Sequence, residues 1–168
     1  CHDLSPRSLE FEIPESALAL DARQVQENLT GLRALGAILT VRDFGLGGLS
    51  MSALAQYPLD RLKIDRSFIR NVASDNRSAA IMRGIIAMGH NLGMKVTAKG
   101  VENETELGFL RRNHCDFFQG YLFSPPAPAE DLDEVIRRRF LLPSAFAPTR
   151  PERTLLLLEV HPRDRLLR

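Results

Sequence analysis

The chain has 168 residues, enough for one domain or part of one, and 44% of them are hydrophobic, enough for a core. Its net charge of +1 singles out neither a nucleic-acid polymer nor a membrane surface as partner. The two cysteines, Cys1 and Cys115, make no CxxC pair and no disulfide framework, which fits a reducing cytosol. No apolar run approaches the roughly 20 residues of a spanning helix. The chain starts at Cys1 with no methionine, as a fragment or processed product would.

Leu9–Ile13 alternates apolar and acidic residues and reads as a strand that Pro14 should end. Asp21 is a suitable N-cap for a helix over 22–35, with Val25, Leu29, Leu32 and Leu35 as its apolar stripe and Gly36 as its stop. Ile38–Phe44 is a second strand. Ser50 or Ser52 caps a short helix to Gln56, and Arg61–Asp65 is a third strand. Ser74 or Asp75 opens a long helix to about Leu92, and Gly93 stops it. Lys95–Ala98 is a fourth strand, and Asn103 with Glu106 resembles a capping box for a helix to about Asn113. Phe117–Leu122 reads as a fifth strand and Glu130–Phe140 as a terminal helix.

Strand and helix alternate five times, which implies a parallel sheet with helices outside it. A closed (β/α)8 barrel takes about 250 residues, so five strands in roughly 140 look like its C-terminal portion. An open doubly wound sheet is the alternative, but no GxGxxG or Walker loop supports it. Residues 1–140 therefore form one unit, and the three prolines in 141–153 mark a linker. Thr154–Val160 is a new apolar strand, so 154–168 reads as a tail or the start of a second, receiver-like domain. Glu159, His161 and Asp164 are a poor match for the acidic residues that normally follow such a strand.

Charge gathers at the strand ends. The motifs are Glu12-Ile13-Pro14-Glu15, Arg42-Asp43-Phe44-Gly45-Leu46-Gly47, Lys63-Ile64-Asp65-Arg66-Ser67-Phe68, Ala98-Lys99-Gly100-Val101-Glu102 and Gln119-Gly120-Tyr121. In that order they resemble the EAL domain family of cyclic-di-GMP phosphodiesterases and its degenerate relatives. The family carries E-x-x-E, D-D-F-G-T-G, K-I-D-x-S-F, A-E-G-V-E and Q-G-Y. Any one motif is weak; the ordered set, covering about Leu9 to Phe140, is specific. The resemblance implies the last five or so βα units of a TIM-type (β/α)8 barrel. The strand bearing E-A-L and the strand bearing an asparagine ligand fall outside it.

In active members of that family, carboxylates hold two divalent metals that activate a water against a phosphodiester. By the match, Glu12, Asp43 and Glu102 stand at metal-ligand positions. Lys63 matches the active-site lysine, Gln119 a residue at the metal-bound water, and Glu15 a residue that steadies the glycine loop. Asp43, Glu102, Lys63 and Gln119 together would line a ligand site. Two positions depart from the pattern. Arg42 replaces the first aspartate of the pair, and Lys99 replaces the first glutamate of A-E-G-V-E. A divalent ion ~4 Å from one such cation is repelled by roughly 8 kcal/mol at an effective dielectric near 20, before side chains reorient. Pro14 and Leu46 also stand where the family has threonines, and Gly48-Leu49 where it has tyrosine-serine.

On a regular strand Arg42 and Asp43 face opposite sides. Arg42 then either turns away to a helix carboxylate or, where the strand end departs from the pleat, joins the site. Lys99 can pair with Glu102 or Asp43, giving an ion-pair network in place of metal. Taken alone, Lys63 would be a solvated lysine; its strand-end place together with the family resemblance implies a pocket role. His90 and His114 have no second histidine at ligand spacing and read as surface residues. Met82 and Met88 read as core, Arg137–Arg139 as a solvated helix end, and Cys115 as a packed thiol.

The implied function is a non-catalytic EAL-type domain that binds cyclic-di-GMP or a protein signalling partner and needs no cofactor. An active phosphodiesterase using Mg2+ or Mn2+ and giving the linear dinucleotide is the alternative. A protein-interaction domain without nucleotide binding is the third reading. A homodimer is compatible with all three. Five strands of a barrel leave open edges that need covering.

Overall fold

The computed structural model of the protein describes residues 5–20, 22–126, 128 and 131. The candidate cap Asp21, all but residue 131 of the helix expected over 130–140, the linker over 141–153 and the strand expected over 154–160 lie outside the described residues. Five parallel strands stand in sequence order: β1 (Glu10–Pro14), β2 (Ile38–Phe44), β3 (Arg61–Ile64), β4 (Lys95–Lys99) and β5 (Phe117–Gln119). Between them run α1 (Glu15–Leu18), α2 (Ala22–Ala34), α3 (Met51–Leu54), α4 (Asn76–Asn91) and α5 (Glu104–Arg112). Sequential parallel pairing with helical crossovers is the wall of a TIM-type barrel. No described helix is long and apolar enough to cross a membrane.

Register divides the sheet into two unlike faces. Phe11, Ile13, Leu39, Val41, Leu62, Ile64, Val96 and Ala98 fall on one face, and the last six are fully buried. α4 adds Ala79, Met82 and Ile86 to that core, and α5 adds Leu107, Phe109 and Leu110. The other face carries Glu10, Glu12, Thr40, Arg42, Arg61, Lys63, Thr97, Lys99 and Gln119. It is polar yet largely withdrawn from water, so its groups must satisfy one another.

β1 does end at Pro14, which is its last residue; β1 is an edge strand, so the missing N–H costs no ladder bond there. α1 follows at once and has no sequence-level signal of its own. Other local expectations are corrected. Leu35 is exposed beyond the end of α2, so the apolar stripe reduces to Leu29 with half-buried Val25 and Leu32. β3 stops at Ile64 because Asp65 turns to cap the 3-10 turn Arg66–Phe68 through the Ser67 N–H. β5 is three residues long, not six. Gly120 turns the chain against Val101, where a Cβ would stand 2.1 Å from the carbonyl oxygen and 2.3 Å from the nitrogen. The Leu122 N–H then donates to Val101 O at 3.1 Å. At α5 the Asn103 side chain accepts from the Glu106 N–H, but Glu106 reaches the Glu102 N–H rather than that of Asn103.

Asp116 ties the start of β5 to its neighbours. It accepts from Val96 N–H at 2.9 Å and from Lys95 Nζ at 2.7 Å, with His90 Nε2 2.8 Å away. Burial alone would raise its carboxyl pKa, but the bonds from Lys95, Val96 and His90 outweigh it and hold the group below the usual carboxylate range. A depressed folded-state pKa gives stability that is complete above the unfolded value near 3.8 and lost as pH falls through the folded one. Asp116→Asn should therefore be clearly less stable than wild type at about pH 7, with the gap narrowing as pH falls below about 4. Urea midpoints of both proteins at the two pH values measure this; a gap unchanged at low pH would mean the carboxylate is not what the strand relies on.

Candidate functional site

The C-terminal ends of the strands bring Glu12 from β1, Arg42 and Asp43 from β2, Lys63 from β3, Lys99 from β4 and Gln119 from β5 to one edge of the sheet. Glu15 opens α1, and Glu102 follows β4.

Lys63 lies on the polar face and is 1% exposed. Its ammonium meets Glu12 Oε1 at 2.5 Å. One step down the same face, Arg61 Nη1 meets Glu10 Oε2 at 2.6 Å, Thr40 Oγ1 donates to Glu10 Oε1 at 2.6 Å, and the guanidinium lies 4.9 Å from the Phe117 ring centre. This lower layer was missed by sequence reasoning. Its signal was present in Glu10/Glu12 facing Arg61/Lys63, two acids and two bases each at spacing two.

The end of β2 is irregular. Register slips between Val41 and Phe44, and Asp43 takes φ +56°, a left-handed conformation uncommon for a residue with a Cβ. The slip carries Asp43 and Arg42 to the same place. Arg42 Nε is 3.7 Å from Asp43 Oδ2, and Lys99 Nζ is 3.7 Å from Oδ1. Arg42 thus pairs with its own neighbour and not with a helix carboxylate, and Lys99 pairs with Asp43 rather than Glu102. Each oxygen of Asp43 is faced by one cation.

The glycine loop after β2 is held from beneath by Glu15, which is 3% exposed. Its carboxylate accepts from the N–H groups of Gly45 at 2.7 Å, Gly47 at 3.0 Å and Leu49 at 2.7 Å. Gly45 has φ +99°, and a Cβ there would stand 2.5 Å from the Phe68 ring, so the loop needs glycine at that point. Lys99 also bears on Asp65. Burial pushes the Asp65 carboxyl up, but bonds from Ser67 and the Arg66 N–H, with the Lys99 charge, hold it below its ordinary value.

Gln119 is half-buried, and its Oε1 is the one buried side-chain polar atom without a hydrogen-bond partner among the described residues. Glu102 is exposed; its backbone N–H donates to Glu106, and its carboxylate makes no ion pair among the described residues. The expected metal positions are thus not brought together as a donor set. Glu12 is taken by Lys63, Asp43 lies between two cations, and Glu102 stands apart. Among the described residues no three His, Cys, Asp or Glu side chains are grouped to hold a metal ion. By themselves these three donors, among the described residues, do not make a site for two divalent ions. His90 and His114 are exposed at the opposite end of the sheet, and Cys115 is buried, its thiol pushed up to about 12 by that burial.

Comparison with known proteins puts this arrangement in context. The EAL domain family model matches residues 2–126. The cyclic di-GMP phosphodiesterase NbdA of Pseudomonas aeruginosa is 46% identical over 129 residues, which is 77% of this chain and 16% of that protein. Among solved structures, the c-di-GMP complex of the MucR phosphodiesterase of the same organism is 41% identical, with a TM-score of 0.74 over 78% of this chain and 53% of that one. A manganese/cy-diGMP complex of Klebsiella pneumoniae BlrP1 is 31% identical, with a TM-score of 0.69 over 74% of this chain and 32% of that one. The chain spans under a fifth of the curated relative it matches and about half or less of these solved chains.

Proposed function

The chain belongs to the EAL domain family, and from that we propose that it is the C-terminal portion of a degenerate EAL barrel, acting in bacterial cyclic-di-GMP signalling without cleaving the dinucleotide. The nucleotide class comes from the relatives: NbdA is a cyclic di-GMP phosphodiesterase, and the MucR phosphodiesterase structure holds c-di-GMP. The observation that carries the non-cleaving reading is the pair of cations on Asp43, with Arg42 at one carboxylate oxygen and Lys99 at the other.

Catalysis by two metals needs several hard oxygen donors to neutralise two cations and clamp an in-line displacement. Here the match retains Glu12, Asp43 and Glu102 at such positions, yet two further positions carry positive charge. Lost donors and added repulsion act in the same direction. Gln119 then serves to line a binding pocket rather than to turn over substrate, while the buried Lys63 is held by Glu12. Gln119 offers an acceptor that no group among the described residues uses.

Incubating the full-length protein with cyclic-di-GMP and Mg2+ or Mn2+ tests this. The expected result is no linear dinucleotide above the uncatalysed background. Robust turnover would overturn the reading in favour of a working metal-dependent phosphodiesterase.

A further inference from the structure

We infer that Arg42 and Lys99 together form a metal-free clamp for an anionic phosphodiester, occupying the place that divalent ions would otherwise need. The inference rests on the non-cleaving reading above and specifies what that pocket holds and by which groups.

The two cations are only loosely engaged. Both sit 3.7 Å from Asp43, beyond hydrogen-bonding distance, and neither side chain donates a hydrogen bond among the described residues. A guanidinium carries five N–H donors and an ammonium three, so most of this donor capacity is uncommitted. Both are reachable from solvent, Arg42 at 40% exposure and Lys99 at 31%. The other cations of the polar face differ. Lys63 is buried and Arg61 nearly so, and they are hydrogen-bonded to Glu12 and Glu10 at 2.5 Å and 2.6 Å. Their charge is spent inside the protein. Arg42 and Lys99 share one carboxylate between them, so the trio keeps one positive charge.

Asp43 sets the spacing. Because β2 slips register there and Asp43 adopts φ +56°, its carboxylate is presented between the two cations, with one on each oxygen. A phosphodiester has two non-bridging oxygens and can meet a guanidinium and an ammonium at once, through charge-assisted bonds shorter than those to Asp43. Lys99 is in register with Gln119, whose buried Oε1 has no partner among the described residues; rotated toward the edge it would accept from a donor carried beside the anion, such as a sugar hydroxyl or a base N–H. Anion and donor together describe a nucleotide better than inorganic phosphate.

Calorimetric titration of cyclic-di-GMP into the full-length protein tests the clamp. Binding should be equal in excess EDTA and in Mn2+ and should weaken as salt rises. R42Q/K99Q should bind about 10- to 100-fold more weakly while keeping the wild-type urea midpoint, since neither side chain makes a hydrogen bond that holds the fold. R42D/K99E should lose binding in EDTA and regain it with Mn2+, and should take up Mn2+ alone by electron paramagnetic resonance where wild type does not. Wild-type binding that requires Mn2+, unchanged affinity in a folded R42Q/K99Q, or no binding under any condition would each overturn the clamp. None of these three outcomes touches the non-cleaving reading, which falls only on the appearance of linear product.

Discussion

Replacing Glu12 by glutamine should destabilise the fold by about 3–5 kcal/mol, and replacing Lys63 by methionine should cost much less. The asymmetry follows from where each charge would be left. Lys63 is 1% exposed and Glu12 is 18% exposed. Glu12→Gln strands an ammonium inside the protein, with Thr97 beside it in register and no other carboxylate bonded to it among the described residues. Lys63→Met leaves instead a carboxylate that already touches water, and fills the lysine's volume with a side chain that needs no partner. That loss should be about 1–2 kcal/mol. The double variant E12Q/K63M should recover much of what E12Q alone loses, because removing both members of a buried pair is far milder than removing one. Urea denaturation of the four proteins measures all three values. Equal losses in the two single variants would show that the Lys63 ammonium has a second anion or a path to water.

Glu15→Ala should cost about 3–4 kcal/mol and should do so at a defined place. One carboxylate serves three backbone N–H groups of the glycine loop, those of Gly45, Gly47 and Leu49. Each bond to an ionised acceptor is worth roughly 1.5–3 kcal/mol, but the three are not additive and the loop amides regain some water when released. Glu15→Gln should be intermediate. An amide supplies one acceptor oxygen, whereas the carboxylate uses both, Oε2 for Gly45 and Gly47 and Oε1 for Leu49. Amide hydrogen exchange gives the local reading: protection at Gly45, Gly47 and Leu49 should collapse in Glu15→Ala while Leu39 and Val41 in β2 stay protected. Loss spread evenly over the strand would mean that Glu15 supports the whole sheet and not the loop.

The candidate site was legible in part. The strand ends that carry Glu12, Asp43, Lys63, Lys99 and Gln119 could be placed from alternation and glycine punctuation, because those signals are local. The partner of each charge could not. Lys63 and Glu12 are 51 residues apart, as are Arg61 and Glu10. A period of two says only that both members of a pair lie on some face of some strand; register between strands decides that they meet. The Arg42 alternatives stayed open for the same reason, since a regular pleat and a slipped one leave the same letters in the sequence. Gly120 likewise ends β5 through a close approach to Val101 that no local pattern announces.

Composition and order by themselves determined that this is an alternating α/β chain of five strands, with charge gathered at the strand ends. Those conclusions depend on near neighbours in the chain, where sterics and hydrophobic period act directly. The tertiary structure alone decided that Arg42 and Lys99 converge on the two oxygens of Asp43, that Lys63 is spent on Glu12, and that Gln119 keeps an unused acceptor. These are consequences of strand register and of one left-handed residue, and electrostatic contacts made across a sheet are set by distance in space, which the linear order of residues does not contain.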